Sequence, residues 1–278
     1  MPSAPRLICP VCDGSLEPDA GRRSLTCPAG HRYDAAKQGY FNLLTGSGTR
    51  FQADTAAMVQ SRTDFLAAGH YRPLAAELAR LTASAAPGPA VVLDAGAGTG
   101  YYLAEVLRAL PDAGAVALDI SKYALRRAAR ALPEAYALVW DVWRRLPLAD
   151  ASVDVILNVF APRNPEEFHR VLRPGGLLAV VTPRPEHLQE IRAAAGMLGI
   201  GAEKEDRVAA ALGPAFVPEQ SGHCTFTMQL PLADARHAVL MGPSARHVEP
   251  AAVESALAGL PDPLPVTASF ALQLFRAA

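Results

Sequence analysis

The chain has 278 residues, half of them hydrophobic, and its 26 lysines and arginines against 27 aspartates and glutamates leave a net charge of −1. That supports one large domain or a domain plus a module, and it gives no sign of a nucleic-acid binder, although local patches weigh more than the sum. No apolar run reaches the roughly 18 residues of a membrane span and the start, Met1-Pro2-Ser3-Ala4-Pro5-Arg6, is no signal peptide, so a cytoplasmic protein is expected.

The chain opens on a cysteine cluster. Cys9-Pro10-Val11-Cys12 and Cys27-Pro28-Ala29-Gly30-His31 give C-x2-C and C-x3-H half-sites, while Cys224 stands alone and reads as buried filler in a strand. In a reducing compartment clustered cysteines bind metal more often than they pair as disulfides. Three thiolates and an imidazole suit tetrahedral Zn2+, and four protein ligands leave no open position. Cys9, Cys12, Cys27 and His31 are therefore expected to form a structural site. A module this short buries too little surface to fold without its metal.

Thr45-Gly46-Ser47-Gly48-Thr49 is a loop by composition. Asp54 is the expected cap of a helical stretch running to about Leu81, broken at Gly69-His70-Tyr71-Arg72-Pro73. Ala83 to Pro89 reads as a linker of small residues and prolines.

The next stretch organises the rest. Val91-Val92-Leu93-Asp94 reads as a buried strand that runs into Ala95-Gly96-Ala97-Gly98-Thr99-Gly100 and then a helix from about Tyr101. The glycines permit a tight turn and close approach of a ligand. A dinucleotide fingerprint would be G-x-G-x-x-G with pyrophosphate on the helix N-terminus. Here the pattern is D-x-G-x-G-x-G, and an acid at that place repels a pyrophosphate and attracts a cation. Ala115-Val116-Ala117-Leu118-Asp119 supplies a second strand ending in an acid.

Beyond it, helices and strands alternate in doubly wound fashion. The expected elements are a helix Lys122 to Leu132 capped by Ser121, a strand Tyr136 to Trp140 ending at Asp141, and a strand leading into Asn158-Val159-Phe160-Ala161-Pro162. A helix Pro165 to Leu172 is stopped by Pro174-Gly175-Gly176, and a strand Leu177 to Thr182 is followed by a helix opening at Pro183 to Leu188. Ser221 to Leu232 and Val266 to Phe275 read as two antiparallel strands that complete a seven-stranded sheet, with helical segments between them broken at Met241-Gly242-Pro243-Ser244.

The glycine stretch with Asp94 and Asp119 resembles motif I and the following acid of the class I S-adenosylmethionine-dependent methyltransferases. The wider pattern is more specific. The Cys9/Cys12/Cys27/His31 set, Tyr33-Asp34, Lys37, Gly39-Tyr40, Asn42-Leu43-Leu44, Asp54-Thr55, Met58, Arg62, Phe65-Leu66 and Gly69-His70-Tyr71 resemble the bacterial 23S rRNA guanine-N1-methyltransferases, nearest to their tylosin-resistance branch. Arg163 and Asn164 after Ala161-Pro162 fit that branch and also suit a changed acceptor.

The resemblance implies an α/β fold: a class I methyltransferase, Rossmann-like and doubly wound on seven strands, with a small N-terminal zinc module. It divides the chain into a zinc-binding rRNA-recognition module at 1–44, a helical lid at 45–88 and a catalytic domain at 89–278. It implies S-adenosylmethionine at Tyr71, Asp94, Gly96, Gly98, Thr99, Gly100, Asp119, Asp141, Asn158 and His187. In the family, Asp119 takes the ribose hydroxyls and Asp141 lies near the adenine; a solvated loop acid and a water-facing helix-start histidine remain the alternatives for Asp141 and His187. The implied substrate is a guanine in a 23S rRNA hairpin loop near the peptide exit tunnel, the implied role macrolide resistance, and the implied assembly a homodimer gripping the hairpin.

Guanine N1 carries a proton that must leave. Asp141, His187, Asn158 as an orienter, and water are the candidates, and Phe160 is placed to stack on the base. Arg22, Arg23, Arg32, Lys37, Arg50 and Arg62, with Arg126, Arg127, Arg130, Arg144 and Arg145 on the core, are the candidate RNA-facing cations. Two rival readings are a small-molecule methyltransferase braced by the zinc module and a non-catalytic cofactor-binding RNA chaperone; the intact glycine motif argues against the second.

Overall fold

The computed structural model describes residues 4–278 except 47, 87, 193, 196, 198 and 200–203, and for 204–207 only the backbone. Ser47 of the expected loop, Pro87 of the expected linker and the first three residues thus lie outside the described residues.

The N-terminal module is a small antiparallel sheet, β1 (Glu17–Pro18), β2 (Ser24–Thr26) and β3 (Arg32–Asp34), in the order β1-β2-β3. The main sheet follows from β4 (Phe41–Asn42), β5 (Val91–Ala95), β6 (Gly114–Asp119), β7 (Tyr136–Val139), β8 (Val153–Val159), β9 (Leu172–Pro183), β10 (Phe216–Leu230) and β11 (Leu264–Ala277). Its order is β10-β11-β9-β8-β5-β6-β7-β4. Strands β4 to β9 pair in parallel, and β11 enters antiparallel between β9 and β10.

The expected seven strands are present, and an eighth comes from the N-terminal module. Phe41 and Asn42 pair with Leu138 and Val139, and Leu43 N–H donates to Val139 O at 3.2 Å. The outer edge of β7 would otherwise present unpaired backbone groups. Phe41 and Leu43 are buried there, which ties the module to the core.

Helices α1 (Ala56–Ala67), α2 (Arg72–Ala85), α3 (Tyr101–Ala109), α4 (Lys122–Ala131), α5 (Pro165–Val171), α6 (Gln189–Arg192), α7 (Lys204–Leu212), α8 (Leu232–Leu240) and α9 (Pro250–Leu257) complete the fold. None is long and apolar enough among the described residues to cross a membrane. Side chains alternate across the sheet. Val92, Val155 and Leu157 face one core, shared with α1 to α4, α8 and α9. Val91, Leu93, Ala95 and Ile156 face the other, where Leu7, Leu16, Leu25 and Tyr33 of the N-terminal module cover the sheet beside α5 and α7.

Several local expectations change. Thr55, not Asp54, caps α1: its side chain accepts from Met58 N–H at 3.2 Å. Asp54 is drawn instead into ion pairs. The break at Gly69 to Pro73 stands, but α2 runs on to Ala85 because its buried face continues through Leu81 and Thr82. Pro174-Gly175-Gly176 does not separate helix from strand; β9 already begins at Leu172, and the three residues form an irregularity between the Val153–Leu172 and Val155–Leu177 pairs. Pro183 ends β9, Pro185 to Leu188 forms a turn, and only the four-residue α6 follows. Cys224 lies on β10 half-buried, because that strand is the sheet's outer edge.

Candidate active site

Chain order reverses at β5, with β6 and β7 on one side and β8 and β9 on the other. The carboxyl ends of strands flanking such a switch point form a crevice. Here the crevice is a cleft of about 730 Å³, walled by the glycine turn, Asp119, Asp141, the 159–163 loop, Tyr71 and His187.

The glycine turn is shaped by two close approaches. Gly96 has φ +94°, and a Cβ there would collide with Ala161. Gly100 has φ +80° and packs on Ala128 and Leu132, each 3.2 Å from where a Cβ would lie. Gly98 N–H donates to Asp119 Oδ2 at 2.9 Å, and Ser121 N–H donates to Oδ1 at 2.7 Å. A carboxylate has about four acceptor positions, so acceptor capacity remains for a ligand. Asp94 is 1% exposed and its Oδ1 has no hydrogen-bond partner among the described residues. Burial, and next the neighbouring Asp119, pushes its carboxyl up to about 8. Burial also raises Asp119, against the opposing pull of its two backbone donors. Two acids held in a dry pocket at the end of a glycine turn favour a cationic ligand.

The opposite end of the cleft is aromatic. Tyr71 sits at the start of α2, which brings it over the sheet; Phe65, Phe270 and His187 surround it at centroid distances of 4.9, 5.1 and 5.9 Å. Ser269 N–H donates to His187 Nδ1 at 3.4 Å, so Nε2 carries the proton toward Tyr71 Oη, 3.1 Å away. Burial holds the Tyr71 hydroxyl well above the usual phenol range, so it stays protonated. Phe160 occupies a left-handed conformation, φ +55°, and is 43% exposed. Such strain on a bulky residue persists only where its surroundings enforce it. Asn158 enforces it by donating through Nδ2 to Ala95 O and Pro162 O, at 3.2 and 2.9 Å.

Of the ten residues assigned to the cofactor, Tyr71, Gly96, Gly98, Thr99, Asp119, Asp141 and His187 line the cleft. Asp94, Gly100 and Asn158 stand one layer behind it. Asp141 Oδ2 accepts from Thr49 Oγ1 at 2.7 Å and Oδ1 from Trp143 N–H at 3.0 Å, so the 49–54 segment straps across the cleft.

Arg62, one of the candidate RNA-facing cations, is turned into the cleft. It lies over Gly98 inside the cleft, with Nη2 2.7 Å from Asp54 Oδ2 and 2.6 Å from Met241 O. Arg22 is pinned to the core, donating to Glu134 O and lying 4.2 Å above the Tyr136 ring. Phe51, Trp143 and Arg163 also line the cleft, and no role was expected for Phe51 or Trp143. Both rings are exposed at its mouth, 6.3 Å apart, with the Arg50 guanidinium 5.1 Å over Phe51. Their only signal in the sequence is an aromatic in a polar loop.

The metal cluster assembles as spaced. The donor atoms of Cys9, Cys12, Cys27 and His31 all lie within 4.8 Å of one another. Cys12 Sγ is 3.6 Å from Cys27 Sγ, and His31 Nδ1 is 3.3 Å from Cys27 Sγ. Zinc–sulfur bonds of about 2.3 Å at tetrahedral angles require edges of roughly 3.5 to 3.8 Å, so the set fits zinc and leaves no ligand position open for chemistry. Tyr33 Oη, 3.6 Å from Cys9 Sγ, supports it from behind.

Comparison with known proteins agrees with this architecture. Residues 92–176 match the family described as "Methyltransferase domain", and residues 7–46 match "RlmA, N-terminal", a zinc ribbon. Two solved structures share the fold. One is a candidate methyltransferase in complex with the Haloferax volcanii Trm112 methyltransferase activator (TM-score 0.53, 21% identity, 82% of this chain and 99% of that one). The other is a candidate methyltransferase of Bacillus halodurans (TM-score 0.52, 19% identity, 72% and 97%). A 23S rRNA (guanine(748)-N(1))-methyltransferase of Streptomyces fradiae is 44% identical over 97% of this chain and 96% of its own. A candidate 23S rRNA (guanine-N(1)-)-methyltransferase of Micromonospora griseorubida is 49% identical over 98% and 97%. With the zinc module and the methyltransferase core matched in one continuous alignment, the chain belongs to the family of bacterial 23S rRNA guanine-N1-methyltransferases.

Proposed function

We propose that the chain methylates N1 of a guanine in a 23S rRNA hairpin loop, at the position named for its Streptomyces fradiae relative, guanine 748, and thereby protects the ribosome from tylosin-type macrolides. The observation that carries this is the 44% identity to that relative across both parts of the chain. A shared core alone would leave the acceptor open, because the fold hosts many acceptors.

When bound, S-adenosylmethionine supplies an electrophilic methyl group on a sulfonium. The chain's residues bind and orient it. Asp119 accepts the two ribose hydroxyls with its remaining lone pairs. The glycine turn, Gly96, Gly98, Thr99 and Gly100, admits the ligand against the backbone, and Asp94 behind it supplies negative potential. Tyr71 and His187 hold the methionine end, Asp141 the adenine end, and Asn158 keeps the Phe160 loop in place. Phe160 stacks on the extruded guanine, and a loop guanine costs least to expose. Positioning the acceptor about 3 Å from the methyl carbon is worth several kcal/mol of the barrier.

The 1–44 module docks the hairpin, 45–88 forms the lid and 89–278 does the chemistry. Arg32, Lys37 and Arg50 stay on the outside for phosphate contacts, a homodimer grips the RNA from two sides, and the enzyme works in the cytoplasm where ribosomes are. The test is 23S rRNA from cells with and without the gene, digested and read by mass spectrometry. N1-methylguanine at one hairpin position is expected only in cells carrying the gene, together with higher tolerance of tylosin-type macrolides. Identical rRNA in the two strains contradicts the proposal.

A further inference from the structure

Among the described residues, one cation of the cleft is left without a partner. Arg163 lines it and has no hydrogen bond or ion pair among the described residues; its Nη1 is buried and unpartnered. Burial alone pulls its guanidinium below the usual arginine value. Every other charged group lining the cleft among the described residues is engaged. Arg62 and Arg246 share Asp54, with Arg246 at 3.2 Å, and both also donate to backbone carbonyls. Arg192 donates to Pro185 O. Asp119 and Asp141 are held by their donors, and His187 faces Tyr71 and Ser269.

The backbone on both sides of Arg163 is fixed. Pro162 O is held by Asn158, and Asn164 donates through Nδ2 to Val142 O at 3.1 Å while capping α5 through Glu167 N–H at 3.4 Å. A desolvated, unpaired cation on a pinned loop is costly unless a ligand completes it. The sulfonium and ammonium of the methyl donor would be repelled by it. The acceptor would not. Guanine O6 and N7 match the planar fork of arginine, and O6 gains negative charge as the N1 proton leaves.

We propose that Arg163 donates to O6 of the target guanine, selecting guanine over adenine and making N1–H more acidic. This rests on the guanine-N1 reading above. It supplies a donor toward the base that the other arginines lining the cleft, Arg62, Arg192 and Arg246, are not free to give. The N1–H proton passes to water, the N1–carbon bond forms, and the carbon–sulfur bond breaks with its electron pair going to sulfur. The guanidinium stays protonated throughout.

The test compares wild type, R163K and R163Q. Calorimetry with S-adenosylmethionine reads cofactor binding and folding, and single-turnover methylation of a 23S rRNA hairpin transcript across pH reads the chemistry. Cofactor affinity is expected to stay within about twofold, while R163Q slows about 10²-fold at neutral pH, the usual effect of removing one donor to a developing oxyanion. Its rate should climb tenfold per pH unit to a plateau at least one unit higher than that of wild type, and R163K should recover part of the loss. Three results overturn the proposal: parallel loss of cofactor affinity, which would put the cofactor carboxylate on Arg163; loss of hairpin affinity with an unmoved pH profile, which would put a phosphate there; or no change at all. Failure of the wild type to methylate the hairpin would instead remove the function on which the proposal rests.

Discussion

Asp94 shows how one residue's burial becomes a ligand preference. Its carboxyl lies near the end of β5, all but fully buried and beside a second acid, so burial pushes it up to about 8. The stability consequence has a definite sign. Below the ordinary carboxyl value of 3.8 the group is protonated in both folded and unfolded chains, and its contribution is complete. Between 3.8 and about 8 only the folded chain holds the proton, so that contribution drains away as pH rises and is gone above the folded value. The ligand-free wild type should therefore lose melting temperature relative to D94N from about pH 5 to about pH 8. S-adenosylmethionine, whose cations favour the ionised form, should stabilise the wild type more as pH rises over the same range. A wild-type-minus-D94N difference that stays flat with pH would refute the buried-acid account.

At the scale of elements, the sequence revealed what local chemistry encodes and hid what depends on neighbours. β5, the glycine turn and α3 were legible because buried aliphatics, an acid and glycines obligatory for that turn stand in one run. α4 was legible from Ser121, whose hydroxyl accepts from Ala124 N–H at 3.4 Å. Asp54 and Thr55 are equally good caps on paper; two arginines from distant segments, Arg62 and Arg246, took Asp54 and left the cap to Thr55. β4 could not be read from Phe41-Asn42, since two residues carry no periodicity and only the open edge of β7 makes them a strand. That strand lies between β3 of the zinc module and the segment whose Thr49 holds Asp141. C12S should thus cut hairpin methylation by at least about 100-fold, because metal binding supplies on the order of 10 kcal/mol to the folding of such a module. Cofactor affinity, which the proposed site places outside the zinc module, should fall less than about tenfold. Undiminished methylation by C12S would show that the module has no part in RNA docking.

At the scale of the molecule, the zinc module is not a bead on a string. It covers one face of the sheet, pairs with its edge, and is bolted to the core by Arg145, which reaches Asp13 at 3.3 Å and Asp150 at 3.7 Å. The composition gave no hint of this, because a net charge of −1 does not say where the charges lie. The zinc module and the methyltransferase core are thereby held in one arrangement, as the proposed action on a single loop base of a single hairpin requires. The most direct measurement is the product itself: purified protein, labelled S-adenosylmethionine and a transcript of the 23S rRNA hairpin, with the modified nucleotide identified by mass spectrometry. The account predicts one methyl group, on N1 of one loop guanine, and none on a transcript with that guanine changed to adenine. Methyl transfer to another atom or another base, or none despite tight cofactor binding, would contradict it.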